Sequence, residues 1–120
     1  MKTNMKPLEL ALKYMEIFFS GKDFDDLHQL FSKKFSLKGP FCEFDTATEY
    51  INALKSDPPA GLKYSMIQSY ENANSACLVY EFLKPGITVP MAQQFEVSNG
   101  KIDKILLIFD SGAFSSDGEN

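Results

Sequence analysis

The sequence predicts an α+β fold in which three N-terminal helices pack inside a strongly curved, mainly antiparallel sheet. Helix signals occupy residues 7–56, and strand signals with turns between them occupy residues 62–110. Because a sheet that follows its helices can curl around their apolar faces, we expect a cone with a pocket inside it. At 120 residues the chain has the size of a single domain, with a core over 7–110 and a polar tail over 111–120.

Apolar residues at helical spacing predict the three helices. The first begins at Pro7, which suits a first helical turn, and ends at Gly21. The second follows Asp23 as its N-cap. The third follows Thr46, whose spacing to Glu49 is that of a capping box, with Asp45 as the alternative cap. The first helix has an apolar arc wider than one surface needs, so we expect it to be buried on two sides.

Alternation of apolar and polar residues predicts the strands, the first of which is a short one over 35–38. Four longer strands follow, over 62–70, 75–83, 87–97 and 102–109. In the first of these four, Tyr64, Met66, Gln68 and Tyr70 are predicted to share one face. The last strand is apolar on both faces, so one face packs on the helices and the other needs a cover.

The outer face of the predicted sheet carries apolar residues that this chain does not cover. They are Ile67, Val79, Ile102, Leu106 and Ile108. The simplest cover is a second copy of the chain, so we expect a homodimer joined through this face. The alternative is that the polar tail caps the face.

Composition argues against several classes of function. The net charge is −4 and there is no basic stripe, so no nucleic-acid partner is predicted. No apolar run is long enough to span a membrane, and residues 1–6 lack a signal-peptide core. Cys42 and Cys77 are expected to be reduced thiols of a cytoplasmic protein, with a disulfide between them as the alternative. Neither cysteine has metal-ligand spacing, and we expect no metal and no cofactor.

Two polar residues are predicted to face the apolar interior. Tyr14 lies on the flank of the first helix that faces the sheet, and Gln93 alternates with apolar residues of its strand. A buried amide without a partner costs about 1–3 kcal/mol, so Gln93 needs a protein, water or ligand partner. The two side chains either orient a ligand carbonyl or hydroxyl, or form a structural hydrogen bond in the core.

The other candidate ligand-binding residues are aromatic or apolar and are predicted to point inward. They are Phe18, Phe35, Tyr50, Tyr64, Tyr80, Met91, Phe95 and Phe109. Such residues either line a cavity or fill it, because packed cores use the same side chains. With Tyr14 and Gln93 they predict a binding domain for a small apolar molecule with one polar group.

Four stretches of the chain resemble the nuclear transport factor 2-like superfamily, which includes ketosteroid isomerases and SnoaL-like polyketide cyclases. The stretches are ALKYMEIFFSGKDFDDLHQLFSKKF, LKGPF, DTATEYINAL and NGKIDKILLIFD. The resemblance covers roughly residues 7–110 and implies the cone-shaped fold. It does not imply one activity, because the same fold hosts isomerases, cyclases, dehydratases and pure binders.

The resemblance to the isomerases also implies what this chain lacks. Their tyrosine on the first helix is matched by Tyr14, but their catalytic aspartate before a proline is matched by Gly39. Their second acid, a little after a proline matched by Pro90, falls on Gln93, or on Ala92 in another register. Because isomerisation needs a base to move the proton, ketosteroid isomerase activity is not expected.

Two other functions remain open at this point. An acid–base enzyme of the isomerase, dehydratase or cyclase type would need a different acid, and the candidates are Asp110, Glu43 and Asp45. Tyr14 and Asp110 are then the candidate catalytic residues. A dimeric protein-interaction module would instead use the outer sheet face.

Overall fold

The structure, a computed structural model, describes residues 5–115 and confirms the predicted α+β class. The elements, in chain order, are α1 Pro7–Ser20, a 3₁₀ helix Phe24–Gln29, β1 Phe31–Lys38, β2 Glu43–Phe44, α2 Ala47–Ser56, β3 Lys63–Asn72, β4 Ser75–Lys84, β5 Ile87–Ser98, β6 Lys101–Ile108 and α3 Gly112–Ser115. None of the helices between residues 5 and 115 has the length and apolar character needed to cross a bilayer.

The sheet has six strands in the order β2-β1-β6-β5-β4-β3. All neighbouring strands are antiparallel except β1 and β6, which run parallel. The long strands from β3 to β6 form a meander that curves around the helices without closing. Helix α1 packs against all four of these strands, and α2 covers β1. The core therefore lies between the concave side of the sheet and the two longer helices.

Local signals explain where α1 begins and ends. Pro7 occupies the first turn, and the N–H of Leu8 donates a hydrogen bond to Glu71 Oε2 of β3 at 3.0 Å. Gly21 ends the helix with φ of 74°, and its N–H donates to the carbonyl of Phe18 at 3.3 Å. The buried residues of α1 are Pro7, Leu10, Ala11, Tyr14, Met15 and Ile17. The helix is thus fixed at both ends with Tyr14 turned inward.

Of the other two predicted helices, one is an α-helix and the other is a 3₁₀ helix. Of the two predicted caps, Thr46 and not Asp45 caps α2, because the Thr46 Oγ1 accepts a hydrogen bond from the N–H of Glu49 at 3.1 Å. The second predicted helix is a 3₁₀ helix, and the side chain of Asp23 forms no capping hydrogen bond. Asp23 has φ of 61°, a left-handed conformation that does not suit an N-cap.

A β-bulge reverses the predicted facing of the second half of β3. Met66 pairs with Tyr80, but Gln68 pairs with Val79, so Ile67 is an extra residue in β3. Gln68 and Tyr70 therefore face outward, and the prediction that they share the inner face with Tyr64 and Met66 is wrong. Tyr70 is 58% exposed.

A second irregularity moves Ile102 to the inner face. Ile102 pairs with Val97 and Lys104 pairs with Glu96, which leaves Asp103 as the extra residue of β6. Both Ile102 and Ile105 consequently face the core, where each is fully buried. The prediction that Ile102 belongs to the outer face is wrong, although Ile67 and Ile108 are exposed there.

Further differences from the predictions concern short segments. Strand β1 begins at Phe31 rather than at residue 35, and β2 lies in a segment for which no strand is predicted. Gly112–Ser115 forms α3 within the predicted polar tail, whose remainder, 116–120, lies outside the described residues. Cys42 is exposed, Cys77 is half-buried, and both are free thiols.

Candidate functional site

Four polar side chains meet inside the cone, each from a different element. We call Tyr14 of α1, Tyr50 of α2, Tyr80 of β4 and Gln93 of β5 the polar cluster. All four are buried, with exposed fractions between 2% and 6%. Tyr80 and Gln93 face inward because each alternates with outward-facing neighbours on its strand.

Hydrogen bonds join the four members of the polar cluster in two pairs. The hydroxyl of Tyr80 donates to Gln93 Oε1 at 2.7 Å. The hydroxyl oxygens of Tyr14 and Tyr50 lie 2.5 Å apart and share one hydrogen bond. The Gln93 side chain is also close enough to Tyr14 to affect the pKa of its phenol, so Tyr14 is the member that lies next to both pairs.

Burial keeps the three phenols of the polar cluster protonated. It raises the pKa of Tyr14 to about 12, and it raises the pKa values of Tyr50 and Tyr80 as well. The side chains of Tyr50 and Gln93 act in the opposite direction and lower the pKa of Tyr14, because both are placed to stabilise a negative charge on its oxygen.

The Tyr14 hydroxyl can donate to an atom other than Tyr50. In the Tyr14–Tyr50 pair either hydroxyl can donate to the other. When Tyr50 is the donor, the Tyr14 proton is available for another acceptor, and the Gln93 side chain lies beside the same phenol. A phenol that accepts a hydrogen bond is polarised toward donating its own. Tyr14 can therefore donate to an oxygen atom brought into the cluster.

Aromatic rings surround Tyr14 on several sides. Its ring centroid lies 5.9 Å from that of Phe18, 6.2 Å from that of Phe31 and 5.5 Å from that of Phe95. Phe31 also stacks on Phe35 with centroids 3.9 Å apart. The hydroxyl end of Tyr14 is thus the polar point of an otherwise apolar environment, in which hydrogen bonds are stronger than in water.

A row of rings leads from the polar cluster toward the surface. Tyr80 contacts Tyr64 with ring centroids 5.6 Å apart, and Tyr64 contacts Phe19 at 4.8 Å. Phe19 in turn lies 6.3 Å from Phe82. Tyr64, Phe19 and Phe82 are all half-buried, so this row reaches solvent at its outer end.

Four phenylalanines form what we call the mouth cluster, where the row of rings reaches the surface. They are Phe41 of the loop after β1, Phe82 of β4, Phe109 after β6 and Phe114 of α3. The Phe114 centroid lies 5.7 Å from Phe41, 5.8 Å from Phe82 and 5.3 Å from Phe109. Lys84 Nζ lies 5.8 Å from the same ring centroid.

The predicted ligand-binding residues all lie on the inner side of the fold. Seven are buried, namely Tyr14, Phe35, Tyr50, Tyr80, Met91, Gln93 and Phe95, and three are half-buried, namely Phe18, Tyr64 and Phe109. Sequence reasoning paired Tyr14 with Gln93 but missed the Tyr14–Tyr50 and Tyr80–Gln93 hydrogen bonds. Phe114 was also missed, although it is the only aromatic residue of the predicted tail.

The predicted acids lie away from the polar cluster. Asp110 is exposed, and its Oδ1 accepts a hydrogen bond from the N–H of Gly112 at 2.9 Å, at the start of α3. Glu43 is exposed in β2 opposite Lys38, and Asp45 is exposed beside the α2 N-terminus. Within residues 5–115, no carboxylate hydrogen-bonds to a member of the polar cluster.

Gly39 lies against the last long strand. A Cβ atom added at Gly39 would meet the Leu107 Cβ at 3.3 Å, closer than most side chains approach each other. The N–H of Gly39 donates to the carbonyl of Cys42 at 2.9 Å. A longer side chain at this position would therefore have to displace Leu107.

Features outside the cone do not add to this site. In the described part of the chain, no group of three histidine, cysteine or acidic residues is placed to hold a metal ion. Two shallow surface pockets, of about 310 and 360 Å³, both have Asp103 in their lining. Neither is lined by a member of the polar cluster or of the mouth cluster.

Comparison with solved structures places this architecture among the NTF2-like folds. An NTF2-like protein of unknown function from Cytophaga hutchinsonii superposes with a TM-score of 0.79 at 21% identity, over 96% of this chain and 99% of the other. A candidate SnoaL-like polyketide cyclase from Jannaschia sp. CCS1 superposes with a TM-score of 0.74 at 12% identity, over 97% and 94% of the two chains.

A candidate ketosteroid isomerase from Kribbella flavida gives a TM-score of 0.73 at 13% identity, over 86% of this chain and 76% of the other. No protein-family model matches the sequence, and no curated protein sequence matches it either. The chain thus has the NTF2-like fold shared by SnoaL-like and ketosteroid isomerase-like proteins, as its sequence predicts.

Proposed function

We propose that this protein binds a small apolar molecule that carries one hydrogen-bond-accepting oxygen, such as a carbonyl. The observation that supports the proposal is the place of Tyr14, a buried phenol that shares a hydrogen bond with Tyr50, lies beside Gln93 and is otherwise surrounded by aromatic rings. The ligand oxygen would accept a hydrogen bond from the Tyr14 hydroxyl while Tyr50 donates to the Tyr14 oxygen. The aromatic rings around Tyr14 would contact the apolar body of the ligand.

The chemistry of the polar cluster favours binding over acid–base catalysis. The polar cluster contains three phenols and one amide, and burial raises the pKa values of the phenols, so none is a base near neutral pH. By resemblance to the isomerases, the two carboxylate positions fall on Gly39 and Gln93. The cluster can orient an oxygen, but it holds no group suited to abstracting a proton.

A matched pair of ligands tests the proposal. 2-Acetylnaphthalene and 2-ethylnaphthalene have similar shapes, and only the first carries a carbonyl oxygen. One neutral hydrogen bond contributes about 1 kcal/mol, so we expect the ketone to bind about fivefold more tightly than the hydrocarbon in calorimetric titration. The Tyr14→Phe variant should retain binding of both molecules and lose the preference.

The control variant is Tyr70→Phe, which removes a hydroxyl from an exposed tyrosine on the outer face. It should leave both affinities unchanged. Gln93→Leu should reduce the preference, because Tyr14 then loses the amide that lies beside it and stabilises charge on its oxygen. Equal affinity of the wild-type protein for the ketone and the hydrocarbon, or binding of neither, would contradict the proposed function.

The outer face of the sheet supports a second proposal, a homodimer. Ile67, Tyr70 and Ile108 on this face are 54%, 58% and 55% exposed, and Val79 and Leu106 beside them are half-buried. Such an apolar surface is typical of an interface, and a second copy offers the same surface for a two-fold contact. Two surfaces of this kind would cover each other.

Light scattering after size exclusion tests the dimer. We expect twice the chain mass of 13.5 kDa for the wild-type protein and a monomer for the Ile67→Lys, Ile108→Lys double variant. Leu12→Lys is the matched control, because Leu12 is also an exposed apolar residue, at 41%, but lies on α1. A monomeric wild-type protein at high micromolar concentration would overturn this proposal and leave the ligand proposal intact.

A further inference from the structure

The C-terminal turn brings one aromatic side chain to the mouth of the cone. Phe114 is half-buried and contacts Phe41, Phe82 and Phe109, three rings that come from three separate segments. The centroid distances are 5.3–5.8 Å with steep interplanar angles, which is the edge-to-face geometry favoured by aromatic pairs. Phe114 therefore closes the ring of aromatic residues at the surface end of the interior.

The turn that carries Phe114 is shaped by hydrogen bonds between near neighbours. The N–H of Gly112 donates to Asp110 Oδ1, and the N–H of Ala113 donates to the Asp110 carbonyl at 3.0 Å. The N–H of Phe114 donates to the Ser111 carbonyl at 3.2 Å. These bonds can persist while the turn swings away as a unit, because each joins residues within the turn itself.

Phe114 also lies at the outer end of the row of rings that leads to the proposed ligand site. It contacts Phe82, which is followed inward by Phe19, Tyr64 and then Tyr80 of the polar cluster. The members of the polar cluster are at most 6% exposed, so a ligand can reach them only after the cone opens. Displacing Phe114 uncovers Phe82 at the outer end of this row.

We propose that Phe114 is the gate of the cone, and that displacement of α3 is the step that admits a ligand to the polar cluster. This inference rests on the proposed binding function, since a gate needs something to admit. In this scheme α3 controls the rate at which a ligand enters, and Tyr14 recognises the ligand oxygen. Phe114 is accordingly an access residue that does not contact the ligand oxygen.

Tyrosine fluorescence offers a readout of access that needs no ligand. The chain has five tyrosines and no tryptophan, and three of the tyrosines belong to the polar cluster. In a Tyr70→Phe background, which removes the exposed tyrosine, quenching by acrylamide reports mainly the interior. We expect Phe114→Ala to raise the quenching constant about fivefold, because the gate then loses its ring.

Ligand kinetics provide the second readout. In stopped-flow mixing with 2-acetylnaphthalene, Phe114→Ala should raise the association and dissociation rates about fivefold each, with little change in Kd. Phe114→Leu should give intermediate rates. Leu12→Ala, a truncation of an exposed apolar residue on α1, is the control and should leave both rates unchanged. Urea unfolding of each variant checks that the change is local.

The outcomes separate the gate from the proposed function. If Phe114→Ala raises quenching but no variant binds either naphthalene, Phe114 controls the entry of small solutes such as acrylamide, and it is the binding proposal that fails. If the wild-type protein binds the ketone and Phe114→Ala leaves both quenching and association rate unchanged, the binding proposal stands and the gate is refuted. A rise in quenching that matches a loss of global stability in urea also refutes the gate.

Discussion

The two faces of the same sheet combine polarity and burial in opposite ways. On the inner face, Tyr80 and Gln93 are polar and buried, and each has a hydrogen-bond partner. On the outer face, Ile67 and Ile108 are apolar and more than half exposed. Buried polar groups need partners, and exposed apolar groups gain from a cover. The inner face therefore supports the proposal that a specific ligand atom is recognised, and the outer face supports the proposal of contact with a broad surface.

The largest expected effect is a difference in stability loss between two isoleucines, one on each face of the sheet. Ile102 and Ile67 were both predicted to lie on the outer face, but Ile102 is fully buried and Ile67 is 54% exposed. Ile102→Ala should lower the free energy of unfolding by about 2–5 kcal/mol, as for other buried isoleucines. Ile67→Ala should change it by less than about 0.5 kcal/mol.

Urea unfolding of both variants checks this difference, at a protein concentration low enough to keep the chain monomeric. Equal losses for the two variants would mean that the Asp103 irregularity in β6 does not exist and that Ile102 faces outward as the alternation of the sequence suggests.

The next largest effect concerns the Tyr80–Gln93 hydrogen bond. Tyr80→Phe or Gln93→Leu alone should each cost about 1–3 kcal/mol, because each leaves a buried partner unsatisfied. The double variant should cost less than the sum of the two, with a coupling energy of about 1 kcal/mol. Tyr70→Phe removes an exposed hydroxyl and serves as the outer-face control. Strict additivity in urea unfolding would show that the two groups do not interact.

A smaller effect should appear in the pH dependence of stability. The pKa of Tyr14 is about 12 in the folded protein and 10.0 in the unfolded chain, so folding favours the protonated phenol. The stabilising contribution of the protonated Tyr14 is complete below pH 10 and is lost as the pH rises toward 12. At pH 11 the free energy of unfolding should therefore be lower by about 1.4 kcal/mol on account of Tyr14.

Unfolding free energies measured at pH 8.5 and pH 11 test that estimate. The Tyr14→Phe variant is the reference, because it keeps the titration of all other groups that face solvent. We expect the wild-type protein to lose more stability than the variant over this interval. A loss of the same size in both proteins would place the Tyr14 hydroxyl in contact with water.

The elements with strong local signals were predictable from the sequence. Pro7 and Gly21 bound α1, and Thr46 caps α2, because each acts on its own helix end without help from distant residues. The inward facing of Gln93 was also predictable, since β5 alternates without interruption from Val89 to Val97. These signals, together with the order of helices and strands, were enough for the fold class.

The remaining errors arise where one extra residue changes the register. Ile67 and Asp103 are such residues, and nothing in their side chains distinguishes them from regular strand positions. The partners of Tyr14 and Gln93 were likewise hidden, because Tyr50 and Tyr80 come from distant parts of the chain. Phe114 looked like part of a tail, and only its contacts with Phe41, Phe82 and Phe109 place it at the mouth.

The most direct test of the account is the carbonyl signal of bound 2-acetylnaphthalene, labelled with ¹³C at the carbonyl and observed by NMR. A hydrogen bond from Tyr14 withdraws electron density from that carbon, so its resonance in the wild-type protein should lie downfield of its position in the Tyr14→Phe variant. The same resonance position in both proteins would mean that Tyr14 does not recognise the ligand oxygen, and the proposed site would have to be abandoned.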